Sequence, residues 1–277
     1  MGWFIGLFNA GQGLGALVTS PILQLIVDAT GWRAGFAALA VAVLLAIGPL
    51  ALVGAPGRTE RTPVHGRLHT DAASGLWQQP AFWLIMLANA GIGYLLLLPA
   101  HHVAHLALVG LPSLLAATAG GLMGACIGLG ALLGGWAADR WKTSRLALAG
   151  AVLMGIGVLA LLGSGPAAVW VVGAYVVAGG LGRGILGVSV AAFQARTFAG
   201  PSLGRVTGLL DLGFGIGAFA GPYLTALARD QTGSYAAGLA SALAAGLLVA
   251  TCTELASGAS RRDRESARPR IGETVEK

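Results

Sequence analysis

Eight long apolar runs decide what this chain can fold into. They fall at about 2–27, 34–55, 80–107, 113–137, 145–164, 167–192, 203–228 and 235–256. A helix rising 1.5 Å per residue needs about 20 such residues to cross a hydrocarbon layer of about 30 Å. A membrane-spanning barrel would need short alternating strands, and these runs are continuous. Charged residues are only 10% of the chain and hydrophobic residues 56%, whereas a soluble domain is about 25% charged. Too few charges remain to cover a water-facing surface. The fold class expected is all-α, a polytopic membrane helix bundle with eight predicted transmembrane helices.

The polar residues collect between the runs. Residues 57–79 hold Arg58, Arg61, Arg67 and two histidines, and the tail from Ser257 is rich in arginine and read as disordered. Net charge is +6, but the basic residues sit between spans rather than on one element. Nucleic acid is therefore not an expected partner; the bilayer is. Placing 57–79 in the cytoplasm and alternating sides puts 14 Lys and Arg inside and two, Arg33 and Arg229, outside. That split sets both termini in the cytoplasm of a cell (inner or plasma) membrane. Cys126 and Cys252 lie inside apolar runs, so neither a disulfide nor a metal site is expected of them.

The chain also repeats itself. Sliding it by 202 residues aligns Gly6-Leu7 with Gly208-Leu209 and Gly11, Gly13, Gly15 and Ala16 with Gly213, Gly215, Gly217 and Ala218. Asp28, Thr30, Gly31 and Ala34 then meet Asp230, Thr232, Gly233 and Ala236. The first and seventh spans are equivalent, and both run from inside to outside. A parallel repeat of six helices follows. The seventh span has four companions before it in its unit and the first has none. The sequence therefore reads as the last eight helices of twelve, with four N-terminal helices missing from a complete fold.

These features carry a family resemblance. Gly135-Trp-Ala-Ala-Asp139-Arg140-Trp-Lys-Thr-Ser-Arg145 resembles the G-x-x-x-D-R-x-G-x-R/K-R/K loop after the eighth helix of the major facilitator superfamily, with Lys142 at the second glycine. Gly11-x-x-x-Gly15 with Pro21, and Gly213-x-x-x-Gly217-x-x-x-Gly221-Pro222, resemble that family's glycine–proline signature in its fifth helix and the mirror of that helix. Residues from Ala100-His101-His102-Val103 through Gly233-Ser234-Tyr235 are similar to monocarboxylate and oxalate–formate type carriers. The resemblance implies a twelve-helix fold divided here into 1–56 (the last two helices of the first unit), 57–79 (a cytoplasmic central loop), 80–256 (the second unit) and 257–277 (the tail). It implies a conformational latch at Gly135, Asp139, Arg140 and Arg145, joining the fourth span to the seventh. It also implies that the glycines and prolines of the two signatures pack helices. A carboxylate in that loop can lie against a neighbouring helix N-terminus.

Charges inside spans are costly and functional by default. Arg183 and Asp211 lie about 16 Å and about 12 Å from the inner ends of their spans. Either Arg183 attracts an anionic substrate, with Asp211 as its partner or a proton carrier, or the two form a static pair. Asn9 is the repeat counterpart of Asp211. Tyr94, His101 and His105 recur at i, i+7 and i+11, which is one face of a continuous helix, and His102 points elsewhere. That face is read as a wet helix end, as a gate or substrate contact, or as metal ligands lacking a third donor. Asn89, Asn9 and Gln12 are further polar groups that line a cavity or bond a neighbouring helix. The run Gly179–Gly184 lacks a preceding strand and reads as helix packing rather than a phosphate loop.

Secondary transport of a small organic anion follows, carboxylate-like, by alternating access, with a proton as candidate coupling ion and no enzymatic activity or cofactor. Efflux of a lipophilic drug or metabolite is the runner-up. A truncated, non-transporting membrane protein or a partial gene model is the reading of another class. The orientation is testable: a lone cysteine at position 65 should label from the cytoplasmic side and not from outside intact cells.

Overall fold

The computed structural model describes residues 2–54, 75–165, 169–200 and 203–266. Residues 57–74 of the expected central loop, residues 267–277 of the tail, and the side chains of Asn9 and Gln12 lie outside the described residues.

Every regular element among the described residues is helical. They are α1 (Gly2–Thr30), α2 (Trp32–Gly54), α3 (Pro80–Tyr94), α4 (Leu97–Leu108), α5 (Ser113–Ala138), α6 (Thr143–Leu162), α7 (Val169–Ala174), α8 (Gly180–Thr197), α9 (Leu203–Thr232) and α10 (Ala236–Ser266). Among the described residues eight segments are long and apolar enough to cross a membrane, α3 with α4 and α7 with α8 each counting as one.

Three runs depart from the sequence reading. The third span breaks at Leu95–Leu96, because the ring of Pro99 displaces the carbonyl of residue 95 and denies it a helical donor. There the bonds tighten, with Leu96 N–H donating to Gly93 O at 2.9 Å and Leu98 N–H to Leu95 O at 3.2 Å. Between α7 and α8, Tyr175–Gly179 forms one π-helical turn. A Cβ on Gly157 would strike the backbone of Gly179, so this bulge sits where α6 approaches most closely. Finally, α10 runs to Ser266, which makes residues 257–266 of the expected disordered tail helical. Arg261 and Glu265 stand at i,i+4 there, a spacing that supports helix.

Packing centres on α5 and α8. α1 lies along α5, α8 wedges between α5 and α6, and α3 is flanked by α9 and α10. Leu97, Leu98, Leu106, Met123, Met154, Tyr175 and Leu186 fill the core. α1, α2 and α9 keep broad apolar faces exposed, among them Phe4, Leu14, Phe36, Leu45, Ile216 and Phe219. Such faces suit lipid or another helix, not water.

The internal repeat has a structural counterpart in its helix stops. Gly31 (φ 86°) and Gly233 (φ 73°) both adopt the left-handed conformation that ends a helix. Their N–H groups donate to Val27 O at 2.8 Å and Arg229 O at 2.7 Å. The preceding threonines match too, Thr30 Oγ1 donating to Ile26 O and Thr232 Oγ1 to Ala228 O, each at 2.7 Å.

The glycine signatures behave differently in the two helices. On α9, a Cβ at Gly213, Gly217 or Gly221 would strike Met86 O, Ala90 O or Tyr94 O, a ladder with the same four-residue step on both helices. On α1, Gly11 and Gly15 meet nothing within 4 Å, and it is Gly6 and Gly13 that admit the backbone of α5. Pro21 and Pro222 sit inside α1 and α9. Gly217→Ala should therefore lower the thermal stability of the detergent-solubilised chain by about 1–3 kcal/mol. Gly215→Ala, where nothing lies within 4 Å, should be neutral or slightly stabilising. Equal melting temperatures for the two variants would overturn the close-approach seam.

Candidate functional site

Arg183 owes its position to the glycines around it. A Cβ at Gly180 or Gly184 would strike α5 and one at Gly182 would strike α6, so α8 is pressed between two helices. Arg183 points from this wedge into the space left over. It is the middle residue of the span Val169–Thr197. Two cavities share it as a wall. One, of about 460 Å³, is bounded by Ser20 and Gln24 of α1, Pro99 and His102 of α4, and Gly120 and Gly124 of α5. The other, of about 380 Å³, reaches Asn89 of α3 and Asp211 of α9.

Of the two readings left open for Arg183 and Asp211, the static pair is not formed. Both line the smaller cavity, yet no ion pair joins them among the described residues, and the buried Arg183 Nε has no hydrogen-bond partner. Asn89 is tied down: its Nδ2 donates to Ile85 O at 3.0 Å and to Gln194 Oε1 at 3.1 Å. Gln194 Nε2 in turn donates to Thr207 Oγ1 at 3.1 Å, which strings a polar thread across α3, α8 and α9.

The shared histidine face does not survive the break before Pro99. Tyr94 Oη bonds Ser241 Oγ at 2.8 Å, His101 Nε2 meets Pro222 O at 3.0 Å, and His105 Nε2 meets Leu161 O at 3.2 Å. Each of the three thus serves a different neighbouring helix. The His101 ring also stacks on Tyr235 at 5.1 Å. His102, which the helical wheel turned away, is the histidine in the cavity wall.

His102 Nδ1 lies 2.9 Å from Leu98 O. A carbonyl only accepts, so Nδ1 carries a proton and the neutral ring presents Nε2 as a bare acceptor. That Nε2 is buried without a partner, as is the hydroxyl of Tyr175. The Tyr175 and His102 rings are 6.0 Å apart, and Tyr175 and Arg183 lie close enough to interact electrostatically. A Cβ at Gly120 would come 2.5 Å from His102 Nε2, so the glycine keeps room for the ring. Arg183 and His102 wall the larger cavity, and the unpaired Tyr175 hydroxyl is buried behind them. Buried polar atoms are normally paired, so these unpaired groups stand out. Tyr175 and Gln194 gave no signal in the sequence beyond their types, and the π turn that aims Tyr175 has no simple pattern.

The other cluster lies at the end of the bundle where α5 stops. Asp139 caps the C-terminus of α5, where that helix's own dipole disfavours an anion. Its stabilisation comes from outside. Arg196 Nη2 donates to Asp139 Oδ1 at 3.0 Å and to Ala138 O at 2.7 Å. The backbone N–H of Trp3, in the first turn of α1, donates to Asp139 Oδ2 at 3.3 Å. These contacts tie Asp139 to α1, the first span, and to α8. The reason is packing: α5 lies along α1, so its end meets the α1 N-terminus. Gly135 is buried in the last turns of α5, Arg140 lies over the Trp136 ring at 4.2 Å, and Arg145 is exposed.

The sequence profile described as Major Facilitator Superfamily matches residues 2–222 and 109–275. The chain belongs to the Major Facilitator Superfamily. Two relatives, both Monocarboxylate transporter 11, are 29% identical over 254 residues in Mus musculus and 30% identical over 265 residues in Homo sapiens. Each alignment covers 84% of this chain and 54% or 51% of the relative. The chain thus spans about half the length of the curated relatives it matches.

Within a Major Facilitator Superfamily chain, the Asp139 contact joins residues 136 positions apart. Asp139→Ala removes an acceptor for an α1 amide and an ion-pair partner of Arg196. Amide exchange in the first turn of α1 should accelerate about tenfold, as expected for a loss of about 1–2 kcal/mol. Unchanged exchange in that turn would show that the contact holds nothing.

Proposed function

We propose that this chain forms part of a secondary carrier that moves a small organic anion, carboxylate-like, across a membrane by alternating access. The observation that carries this is Arg183. A guanidinium at the middle of a span, walling two cavities and unpaired at Nε, lacks the counter-charge that burial normally demands. A carboxylate supplies that charge and fits the guanidinium fork in two bonds. The likeness to two proteins named as monocarboxylate transporters supports the same ligand class.

His102 and Tyr175 complete the reading. A carboxylate on Arg183 leaves Tyr175 as a hydroxyl donor, and the free Nε2 of His102 can accept a proton travelling with the anion. The latch ties the two sides of the bundle at one end, while the larger cavity lies beyond Gly13 on α1. Closure at one end with a cavity nearer the other suits a rocking carrier. The 14-to-2 distribution of basic residues supports a plasma or inner membrane location with both termini in the cytoplasm.

In the complete carrier, Arg183→Ala should lower affinity for a small carboxylate by about tenfold to a hundredfold, the scale of a charged hydrogen-bonded contact. Arg183→Lys should recover little of it. Because no ion pair binds Asp211 to Arg183, adding Asp211→Asn should not restore uptake. Full uptake by a well-folded double variant would remove Arg183 from the site.

A further inference from the structure

A second anion site is built at the latch end, away from Arg183. Lys142, Thr143, Ser144, Arg196, Ser257 and Ser260 line a cavity of about 230 Å³. α6 begins at its wall. Lys142 stands at the N-cap and makes no side-chain cap, and the first helical bond there is Leu146 N–H to Lys142 O at 3.2 Å. The N–H groups of Thr143, Ser144 and Arg145 therefore have no carbonyl behind them. A 20-residue helix aims the positive end of its dipole the same way.

The side chains point to a ligand independently of the helix end. Thr143 is 9% and Ser144 6% exposed, both line the cavity, and neither hydroxyl has a hydrogen-bond partner among the described residues. Ser260 Oγ is buried and also unpaired. A buried hydroxyl such as that of Ser260 is not left unpaired without cost. The charged groups on the wall, Lys142 and Arg196, can only donate. The Arg196 bonds to Asp139 and Ala138 both leave from Nη2, so its Nη1 and Nε hydrogens remain for the cavity. Among the described residues no carboxylate side chain lines the space. A wall of two cations, free amides and hydroxyls, rich in donors, calls for an anion with several acceptor oxygens.

We propose that this cavity binds a phosphate group, as the phosphodiester of an anionic phospholipid headgroup or as a soluble phosphate. Its place at the ends of three spans is the level at which headgroups lie. The occupant shares Arg196 with Asp139, so it holds that guanidinium in its latch orientation.

The test uses the 277-residue chain, purified in detergent and stripped of lipid. Phosphatidylglycerol, phosphatidylcholine and inorganic phosphate are titrated separately, with chloride at matched ionic strength as control. Lipid retention is read by native mass spectrometry and stability by melting temperature. Phosphatidylglycerol retained in preference to phosphatidylcholine, with a rise of about 2–4 °C, supports the lipid source. A comparable rise with inorganic phosphate alone supports the soluble source. The triple change Lys142→Gln, Thr143→Val, Ser144→Ala should weaken either response at least about tenfold. Should that variant fold poorly, Lys142→Gln alone, at an exposed position, should still weaken it several-fold. No shift with any phosphate, or equal binding by Lys142→Gln and the unaltered chain, would overturn the site. Neither result bears on carboxylate binding at Arg183.

Discussion

Inside a bilayer nothing like the hydrophobic effect presses one helix against another, because lipid tails are as apolar as leucine. Association then depends on how closely two backbones can approach. In this bundle glycine sets that distance. Gly213, Gly217 and Gly221 bring α9 onto the backbone of α3, and Gly180, Gly182 and Gly184 drive α8 between α5 and α6. The consequence for function is direct. A helix with glycine on both flanks has few side chains of its own to fill the remaining space. The arginine between those glycines meets cavities on either side of it rather than packed neighbours.

The same rule explains why two equivalent helices look different. Gly15 and Gly217 align in the repeat, and their helices end in matching glycine stops. Yet Gly217 is closed by Ala90, whereas Gly15 meets nothing. α1 instead turns Gly6 and Gly13 toward α5, a face two turns of helix wide and rotated from the Gly11–Gly15 edge. Symmetry in sequence preserved the helix and its stop. Which face is used depends on the neighbour, and α9 has α3 beside it where α1 has α5.

What was legible in the sequence was whatever depends on length and local chemistry. The eight spans required only hydropathy. Faces were harder to read, because they depend on an unbroken register. The wheel over Tyr94, His101 and His105 was interrupted at one place, the two residues that Pro99 forces out of helix, and it is His102 that lines the cavity. Long-range partners were hardest. For Asp139 the family resemblance implied a tie to the seventh span, while hydropathy and spacing gave no sign of its contact with the first turn of α1. That was decided by the packing of α1 along α5. The Asn89–Gln194–Thr207 thread joins three helices and was invisible for the same reason.

The unpaired state of Arg183 is itself a mechanistic argument. A static pair with Asp211 would satisfy both charges in every conformation and leave no drive to bind anything. A guanidinium without a counter-charge instead makes an anion the missing part of the structure. A carrier must also release what it binds, so the complementary groups should be few and changeable. Tyr175 donates one hydroxyl from a π turn, and the bare Nε2 of His102 attracts a carboxylate only while protonated. On the proposed reading, neutral His102 leaves the anion held by Arg183. Protonated His102 adds a second cation to the same cavity wall. The two protonation states therefore hold an anion with different strength, and that difference is what coupling a proton to an anion requires.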